Sequence, residues 1–152
     1  MKSLFVIILL MVNFFRLSGQ NEIKIYKWKE VQLASPDTIY GLSLARLKLK
    51  TLPEDLSKFV HLKKLDLKKN KLTQLPDFIL NFDSLQFIDI EKNQLSYFPV
   101  IFCQMSKLKE ILIGNNFFET LPKCISNIQN LKYIDLYDTP IKSLPISFQR
   151  LN

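Results

Sequence analysis

The sequence predicts an α/β solenoid, a stack of similar coils with a short parallel β-sheet on the concave face and irregular or 3₁₀ segments on the convex face. Three observations predict this fold class. Over the last three quarters of the chain, apolar residues recur with a period of 23 residues, a short apolar-polar-apolar alternation occurs once per period, and a proline stands at the same place in every period. Such regularity is typical of folds in which each unit packs only on its neighbours.

The period divides residues 39–152 into five units, with predicted bounds 39–61, 62–84, 85–107, 108–130 and 131–152. In every unit the first, fourth, sixth, eleventh, fourteenth, eighteenth and twenty-first places hold Leu, Ile, Phe or Met. The fifteenth place is always proline: Pro53, Pro76, Pro99, Pro122 and Pro145. One pattern of burial is therefore repeated five times.

The alternation at the fourth and sixth places predicts the strands. In the second unit Leu65 and Leu67 fall on one face of an extended chain, and the residues beside them face the other way. The later proline lacks an N–H and restricts the residue before it, so the chain has to leave the sheet there. A single coil cannot bury its own apolar edge, and the core forms only when coils stack.

The pattern resembles the leucine-rich repeat of the 23-residue type, LxxLxLxxNxLxxLPxxIxxLxx, over residues 39–152. The second unit, LKKLDLKKNKLTQLPDFILNFDS, shows it most clearly. The resemblance implies a small exported protein with bacterial-type repeats. This repeat fold carries many unrelated roles, so the resemblance predicts the fold, and the function has to be argued from exposed residues.

The ninth place holds asparagine in the three middle units, at Asn70, Asn93 and Asn116. An amide both donates and accepts hydrogen bonds, and a buried one has to be paired. We therefore expect these three residues to form a structural ladder inside the solenoid. Leu47 and Thr139 replace asparagine in the first and last units, as is common in terminal repeats.

The N-terminus has the pattern of an export signal. Lys2 precedes an apolar run from Leu4 to Phe15, and small residues lead to a plausible cleavage site after Gly19. The run would rise about 18 Å as a helix, which is too short for a hydrocarbon core of about 30 Å. We predict a cleaved signal peptide at residues 1–19 and a secreted, periplasmic or cell-surface protein. Cleavage would lower the net charge from +7 to +5, because it removes Lys2 and Arg16.

Residues 20–38 lie outside the repeat and predict an N-terminal cap. Its apolar residues favour an amphipathic helix from about Lys27 to Ala34, and an edge strand from Glu22 to Val31 is the alternative. The segment YKWKEVQLASPDTIYGLSL is similar to the cap of a group of bacterial leucine-rich-repeat proteins, in which a short helix precedes the first strand. In either case Trp28 is expected to cover the first coil.

The two cysteines, Cys103 and Cys124, are 21 residues apart, close to the repeat length. They are predicted to lie on the convex side of neighbouring coils. Export permits a disulfide there, and a small apolar role for each cysteine is equally consistent with the sequence.

The concave face presents the third, fifth and seventh residues of each unit, and these side chains are not needed for the core. In the last three units they bring several apolar groups together among carboxylates, a composition typical of protein interfaces. We therefore predict a non-catalytic protein-binding surface. Its residues are Phe87, Asp89, Glu91, Glu110, Leu112, Tyr133, Asp135 and Tyr137.

An alternative function is an envelope-structural or adhesive protein that contacts anionic glycans or lipid headgroups through clustered lysines. These are Lys63, Lys64, Lys68, Lys69 and Lys71. Nucleic acid is not an expected partner, because the chain is predicted to be exported. The last unit leaves Ile141, Leu144, Phe148 and Leu151 at an end without a polar cap, which predicts some end-to-end self-association.

Catalysis and cofactor binding are not expected. The aspartates at the fifth place, Asp66, Asp89 and Asp135, lie on an open arc that offers little enclosure for a substrate or a calcium ion. His61 is the only histidine, so neither a serine–histidine–aspartate set nor a zinc site is predicted. The sequence therefore predicts no metal, no cofactor and no enzyme.

Overall fold

The computed structural model describes residues 22–150 and the backbone of residues 7–8. The strands in this part of the chain are β1 (Ile7–Ile8), β2 (Tyr26–Lys27), β3 (Gly41–Ser43), β4 (Lys64–Asp66), β5 (Phe87–Asp89), β6 (Glu110–Leu112) and β7 (Tyr133–Asp135). They form a sheet in the order β1-β7-β6-β5-β4-β3-β2, in which β2 to β7 run parallel and β1 is antiparallel to β7. Apart from β1, the predicted signal peptide at 1–19 lies outside the described residues.

The strands of the repeat pair in register, with each residue opposite the one 23 positions later. The middle residues of β3 to β7 consequently form a continuous interior row, which is fully buried: Leu42, Leu65, Ile88, Ile111 and Ile134. The predicted solenoid with a short parallel sheet is therefore confirmed. The row shows that the period of the sequence is the period of the fold.

The convex side is built from 3₁₀ helices, as predicted. They are Glu54–Lys58, Asp77–Asn81, Val100–Gln104, Lys123–Asn127 and Ile146–Arg150, with two shorter ones, Trp28–Glu30 and Pro36–Thr38, before the repeats. The proline that precedes each of the five longer helices accepts the first hydrogen bond. In the third unit, for example, Phe102 N–H donates to the Pro99 carbonyl at 3.1 Å. Proline thus ends the extended segment and starts the helix whose inward residue is Phe102.

The core fills the space between the sheet and the 3₁₀ helices. In the third and fourth units, every apolar position of the repeat is buried. Aromatic rings pack edge to face at its centre, where Phe98 lies 5.8 Å from Phe102 and 5.9 Å from Phe118 between ring centroids. Each coil therefore shares its core with the next.

The ninth-place amides are buried and link successive coils. Asn93 Oδ1 accepts a hydrogen bond from Leu72 N–H of the preceding unit at 3.0 Å, and its Nδ2 donates to the carbonyls of Leu67 and Ile90. Asn70 and Asn116 make the equivalent bonds one coil earlier and one coil later. At the last unit, the Thr139 hydroxyl donates only to its own coil, at the Leu136 carbonyl.

The chain turns sharply at the eighth place of each unit, where the backbone is left-handed. The residues there are Arg46, Lys69, Lys92, Asn115 and Asp138, with φ between 55° and 62°. Asparagine and aspartate tolerate this conformation better than residues with longer side chains. The first three units therefore hold unfavourable residues at this corner.

The N-terminal segment contains the predicted edge strand, shortened to Tyr26–Lys27, and lacks the predicted helix. β2 adds a parallel strand to β3, and it is followed by one 3₁₀ turn at Trp28–Glu30 in place of a helix from Lys27 to Ala34. The start of the segment pairs with β3 instead of forming a helix, because the backbone groups at the open edge of β3 would otherwise have no partner in the sheet. Trp28 packs edge to face on Phe59 of the first coil, with 6.1 Å between ring centroids.

Gly41 fits this junction because a Cβ there would lie 2.7 Å from the Lys24 carbonyl oxygen. A side chain at position 41 would therefore push the N-terminal segment off the first coil. The close approach explains why the first repeat strand begins with glycine.

Cys103 and Cys124 form a disulfide between neighbouring convex 3₁₀ helices, with a Cα–Cα distance of 5.7 Å. At the C-terminal end, Phe148 is buried, while Ile141 and Leu144 are partly buried. The end-to-end association expected from this edge stays a prediction. Within the described part of the chain, no helix has both the length and the apolar character needed to cross a bilayer.

Candidate binding surface on the concave face

The fifth place of the repeat has a structural role that the sequence did not reveal. Asp66, Asp89 and Asp135 each accept a hydrogen bond through Oδ1 from the N–H two residues further on, at 2.8–3.0 Å. The Ser43 hydroxyl accepts the equivalent bond from Ala45 N–H at 3.3 Å. These side chains therefore satisfy the backbone where each strand ends, as short polar side chains commonly do.

Leu112 is the exception at this place. It lies on β6 between Asp89 and Asp135 of the flanking strands, and an apolar side chain cannot accept the hydrogen bond that the other four units make. The side chain is only partly buried, so the core does not account for it. The fourth unit thus lacks the side-chain-to-backbone hydrogen bond of the other four units and has a partly exposed apolar group in its place.

Aromatic side chains lie diagonally to Leu112 on the same face of the sheet. Phe87 on β5 and Tyr133 on β7 flank Glu110 in the register, and Tyr137 follows the end of β7. Strands about 4.8 Å apart place these side chains within contact distance of one partner residue. We call the eight predicted residues together the concave patch: Phe87, Asp89, Glu91, Glu110, Leu112, Tyr133, Asp135 and Tyr137.

The members of the concave patch are not equally accessible. Asp89 is buried, with 8% of its surface exposed, whereas Tyr137 is 47% exposed and Glu110 is exposed. Phe87 and Tyr133 are partly buried. The structure therefore brings the predicted residues together, but a partner would meet the aromatic groups, Leu112 and Glu110 rather than the Asp89 carboxylate.

Lys68 on the neighbouring coil neutralises part of the patch. Its ammonium group forms an ion pair with Glu91 and lies 3.8 Å from Asp89 Oδ2. The bond to Glu91 raises the pKa of Lys68, and the nearby carboxylates add to this effect. Lys68 was predicted to contact an anionic surface, yet its charge is already used within the protein.

Burial raises the pKa of Asp89 to about 6. The backbone bond from Glu91 N–H and the charge of Lys68 oppose this shift without cancelling it. Burial likewise raises the pKa of Tyr133, with a further contribution from the carboxylates of Asp135, Glu91 and Glu110. Burial is the largest cause of both shifts, so the charged forms of Asp89 and Tyr133 are disfavoured.

Asp89→Asn is expected to stabilise the protein at pH 7 by about 1–3 kcal/mol. The folded-state pKa of Asp89 is above its ordinary value of 3.8, so the folded state binds more protons between about pH 4 and pH 6. Stability is consequently lost as the pH rises through this window, and the amide removes that loss while it can still accept the bond from Glu91 N–H. Urea unfolding of both proteins from pH 4 to pH 8 measures the difference.

The matched control is Asp135→Asn, which changes another fifth-place aspartate that is less buried. We expect the stabilisation of Asp89→Asn to grow from pH 4 to pH 6 and then level off. A stability difference that stayed constant over this range would show that Asp89 has no raised pKa in the folded protein.

The five predicted lysines differ in their surroundings. Lys63 lies over the Tyr40 ring, with its ammonium nitrogen 5.2 Å from the ring centroid, and Lys64 belongs to the concave face of β4. Lys69 stands at the left-handed corner, and Lys71 is exposed two residues later. Lys68 is paired with Glu91, and contact of this cluster with an anionic surface stays a prediction.

A different basic row was missed by the sequence reasoning. Arg46, Lys69 and Lys92 occupy the left-handed corner in three successive units, so they line one rim of the solenoid. The positive charges of Arg46 and Lys92 lower the pKa of Lys69, which stands between them in the row. The shared eighth place in the repeat is the signal that could have revealed this rim row.

The rim row leads to an open pocket of about 650 Å³, which was not predicted either. Lys92, Gln94, Asn115 and Phe117 line it, together with Asp138 and the turn at Thr139–Pro140. Phe117 is 63% exposed. Among the described residues, no group of three or more metal-ligating side chains is positioned to hold an ion.

The comparisons with known proteins assign the family. A family model described as a leucine-rich repeat region matches residues 42–143. Because the match covers more than half of the chain, the protein belongs to the leucine-rich repeat family. Members of this family are generally non-enzymatic, and their fold is a typical scaffold for protein–protein interaction. A search of curated proteins finds no significant match.

Solved structures include several similar solenoids. A leucine-rich repeat protein of Leptospira interrogans is 29% identical with a TM-score of 0.69, and the match covers 84% of this chain and 38% of that protein. Internalin C2 of Listeria monocytogenes is 22% identical with a TM-score of 0.66, covering 76% and 49% of the two chains. A chain of the Toll–Spatzle complex of Drosophila is 24% identical with a TM-score of 0.64, covering 72% and 15%.

The match accounts for less than half of each of these three structures. The last two likenesses, at 22% and 24% identity, concern the fold alone.

Proposed function

We propose that the protein is a non-catalytic interaction module and that its concave patch binds a protein partner. Leu112 is the observation that carries this proposal. At the fifth place the other units use a side chain that satisfies the backbone, and only the fourth unit exposes an apolar group there. A residue that the fold does not require, and that costs a hydrogen bond, has its best explanation in binding.

The composition around Leu112 supports the same proposal. Aromatic side chains in a polar surround are enriched at interface hot spots, and Phe87, Tyr133 and Tyr137 provide them. The sheet that carries them is held by the repeat, so the patch is formed before a partner arrives and little ordering is needed on binding. A Toll chain of similar fold is itself part of a complex with Spatzle.

Export is part of the proposal. The sequence pattern of residues 1–19 supports a cleaved signal peptide, and the disulfide between Cys103 and Cys124 is consistent with an oxidising compartment. The mature chain would then consist of the cap at 20–38 and the five units from 39 to 152, and it would meet its partner outside the cytoplasm.

Leu112→Asn tests the proposal, because asparagine offers the acceptor that the other units have. We expect the variant to fold with nearly unchanged stability and to bind its partner about 30-fold more weakly, as for a hot spot worth about 2 kcal/mol. Partners are captured from envelope or host extracts with the mature chain, identified by mass spectrometry, and titrated as purified proteins.

Val100→Asn is the matched control. Val100 is 61% exposed on a convex 3₁₀ helix, so the same chemical change is made on the opposite side of the solenoid. The control is expected to bind as the unchanged protein does. Equal binding by Leu112→Asn and the unchanged protein would refute the concave patch as the binding surface.

A further inference from the structure

We propose that the rim carries a second binding site, separate from the concave patch, that takes an acidic polysaccharide. The site consists of the rim row, Arg46, Lys69 and Lys92, and of the pocket that continues it at Phe117. This inference does not rest on the proposed protein partner.

The rim row is unfavourable for the free protein in two respects. Its three residues adopt φ values of 55° to 62°, where asparagine or aspartate fits better, and the last two units do hold Asn115 and Asp138 at this place. Arg46 and Lys92 also repel the positive charge of Lys69, whose pKa they lower. A polyanionic ligand would offset the repulsion within the row and so give this choice of residues a function.

The shape of the rim row fits a linear polyanion. The three corners belong to successive coils, which stack about 4.8 Å apart, so Arg46 and Lys92 are separated by about 10 Å along the axis of the solenoid. Within the described residues, none of the three side chains forms an ion pair with a carboxylate. Carboxylate or sulfate groups spaced along a glycan chain can therefore occupy the row one after another.

The rim pocket adds chemistry that suits a sugar ring. Phe117 offers an exposed aromatic face, and in the described residues the side-chain amides of Gln94 and Asn115 have no hydrogen-bond partner. Amides both donate to and accept from hydroxyl groups. A phosphate-rich lipid surface would need cations alone, whereas an aromatic face beside free amides indicates a glycan.

The test uses the full mature chain and measures its binding to heparin oligosaccharides, to polygalacturonate and to neutral dextran. Vesicles that contain phosphatidylserine serve as the competing anionic surface. We expect binding to at least one of the two acidic polysaccharides, no binding to dextran, and weaker binding to the vesicles than to the glycan. Binding should decrease with salt, because exposed charge contacts are screened.

The decisive variant replaces all three residues of the rim row with asparagine, R46N/K69N/K92N. Asparagine suits the left-handed corner, so we expect this protein to be at least as stable as the unchanged one. We expect its affinity for the glycan to fall by about tenfold or more. The matched control, K107N/K123N/K132N, removes the same net charge at exposed lysines elsewhere and is expected to retain binding.

Phe117→Ala separates the glycan from a purely electrostatic ligand. Loss of the aromatic face is expected to weaken glycan binding about fivefold and to leave vesicle binding unchanged. The proposal is overturned if the rim-row variant binds as tightly as the unchanged protein, if the control variant loses as much, or if the vesicles bind more tightly than either polysaccharide. The variant Leu112→Asn is expected to bind the glycan as the unchanged protein does. The test of the rim site is therefore independent of the test of the concave patch.

Discussion

Asn93→Ala is expected to lower the free energy of unfolding by about 2–5 kcal/mol, because one side chain satisfies several buried backbone groups. Its amide accepts from Leu72 N–H and donates to the carbonyls of Leu67 and Ile90, at 3.0–3.1 Å. Each buried group left without a partner costs about 1–3 kcal/mol. Chemical unfolding followed by circular dichroism measures the decrease in the free energy of unfolding. The decrease arises because buried backbone groups lose their hydrogen-bond partners, not because apolar contacts are lost.

Asn127→Ala is the matched control for this prediction. Asn127 is exposed at the end of a convex 3₁₀ helix, and its side chain makes no hydrogen bond within the described part of the chain. We expect a change of less than about 0.5 kcal/mol, as for other surface substitutions. If both variants lost the same small amount, the buried amides would not hold the coils together as the structure indicates.

The second large effect is expected from the disulfide. Replacing both Cys103 and Cys124 with alanine removes a cross-link between residues 21 apart in sequence. The loop-entropy model predicts that this lowers the free energy of unfolding by about 3 kcal/mol. The melting temperature of the oxidised protein is compared with that of the double variant. Because the bond joins two neighbouring convex helices, the third and fourth coils should lose protection from hydrogen exchange before the first.

Reduction provides an internal control. A reducing agent should lower the melting temperature of the unchanged protein to that of the double variant and should leave the variant unaffected. Free thiols detected in the purified, exported protein, together with an unchanged melting temperature after reduction, would contradict a disulfide at this position.

The fold was predictable because its determinants are periodic. The fourth-place residues, such as Leu65 and Ile88, repeat at a fixed interval, and stacking one unit on the next places them in one row without further information. The fifteenth-place prolines similarly predicted where the chain leaves the sheet. Both signals are local in the sequence and are read the same way in each unit.

The candidate sites were only partly predictable, since they depend on which neighbours a side chain meets. The sequence grouped Lys68 with four other lysines, but its position beside Glu91 pairs it within the protein. It placed Asp89 on the open concave face as a binding residue, although the residue is buried and bonded to the backbone. The left-handed corner was missed because nothing in the residue type of Lys69 indicates a positive φ.

The N-terminal segment and the cysteine pair show the same limitation. Helix periodicity around Trp28 favoured a helix over the edge-strand alternative, although the open edge of β3 pairs with Tyr26–Lys27. A spacing of 21 residues left the disulfide undecided, because it depends on how far the convex helices at Cys103 and Cys124 stand apart. Both the pairing of β2 and the disulfide depend on how separate elements are placed in space, which local sequence preference does not reveal.

The direction of the amide bonds has a consequence for the order in which coils are completed. Asn70 completes hydrogen bonds at Leu47, Leu49 and Leu44, which precede it by a full coil. Each of the first three coils therefore gains its full set of amide bonds only after the following coil has packed on it. The fourth coil is followed by Thr139 in place of asparagine, and among the described residues the Thr139 hydroxyl donates to the Leu136 carbonyl of its own coil.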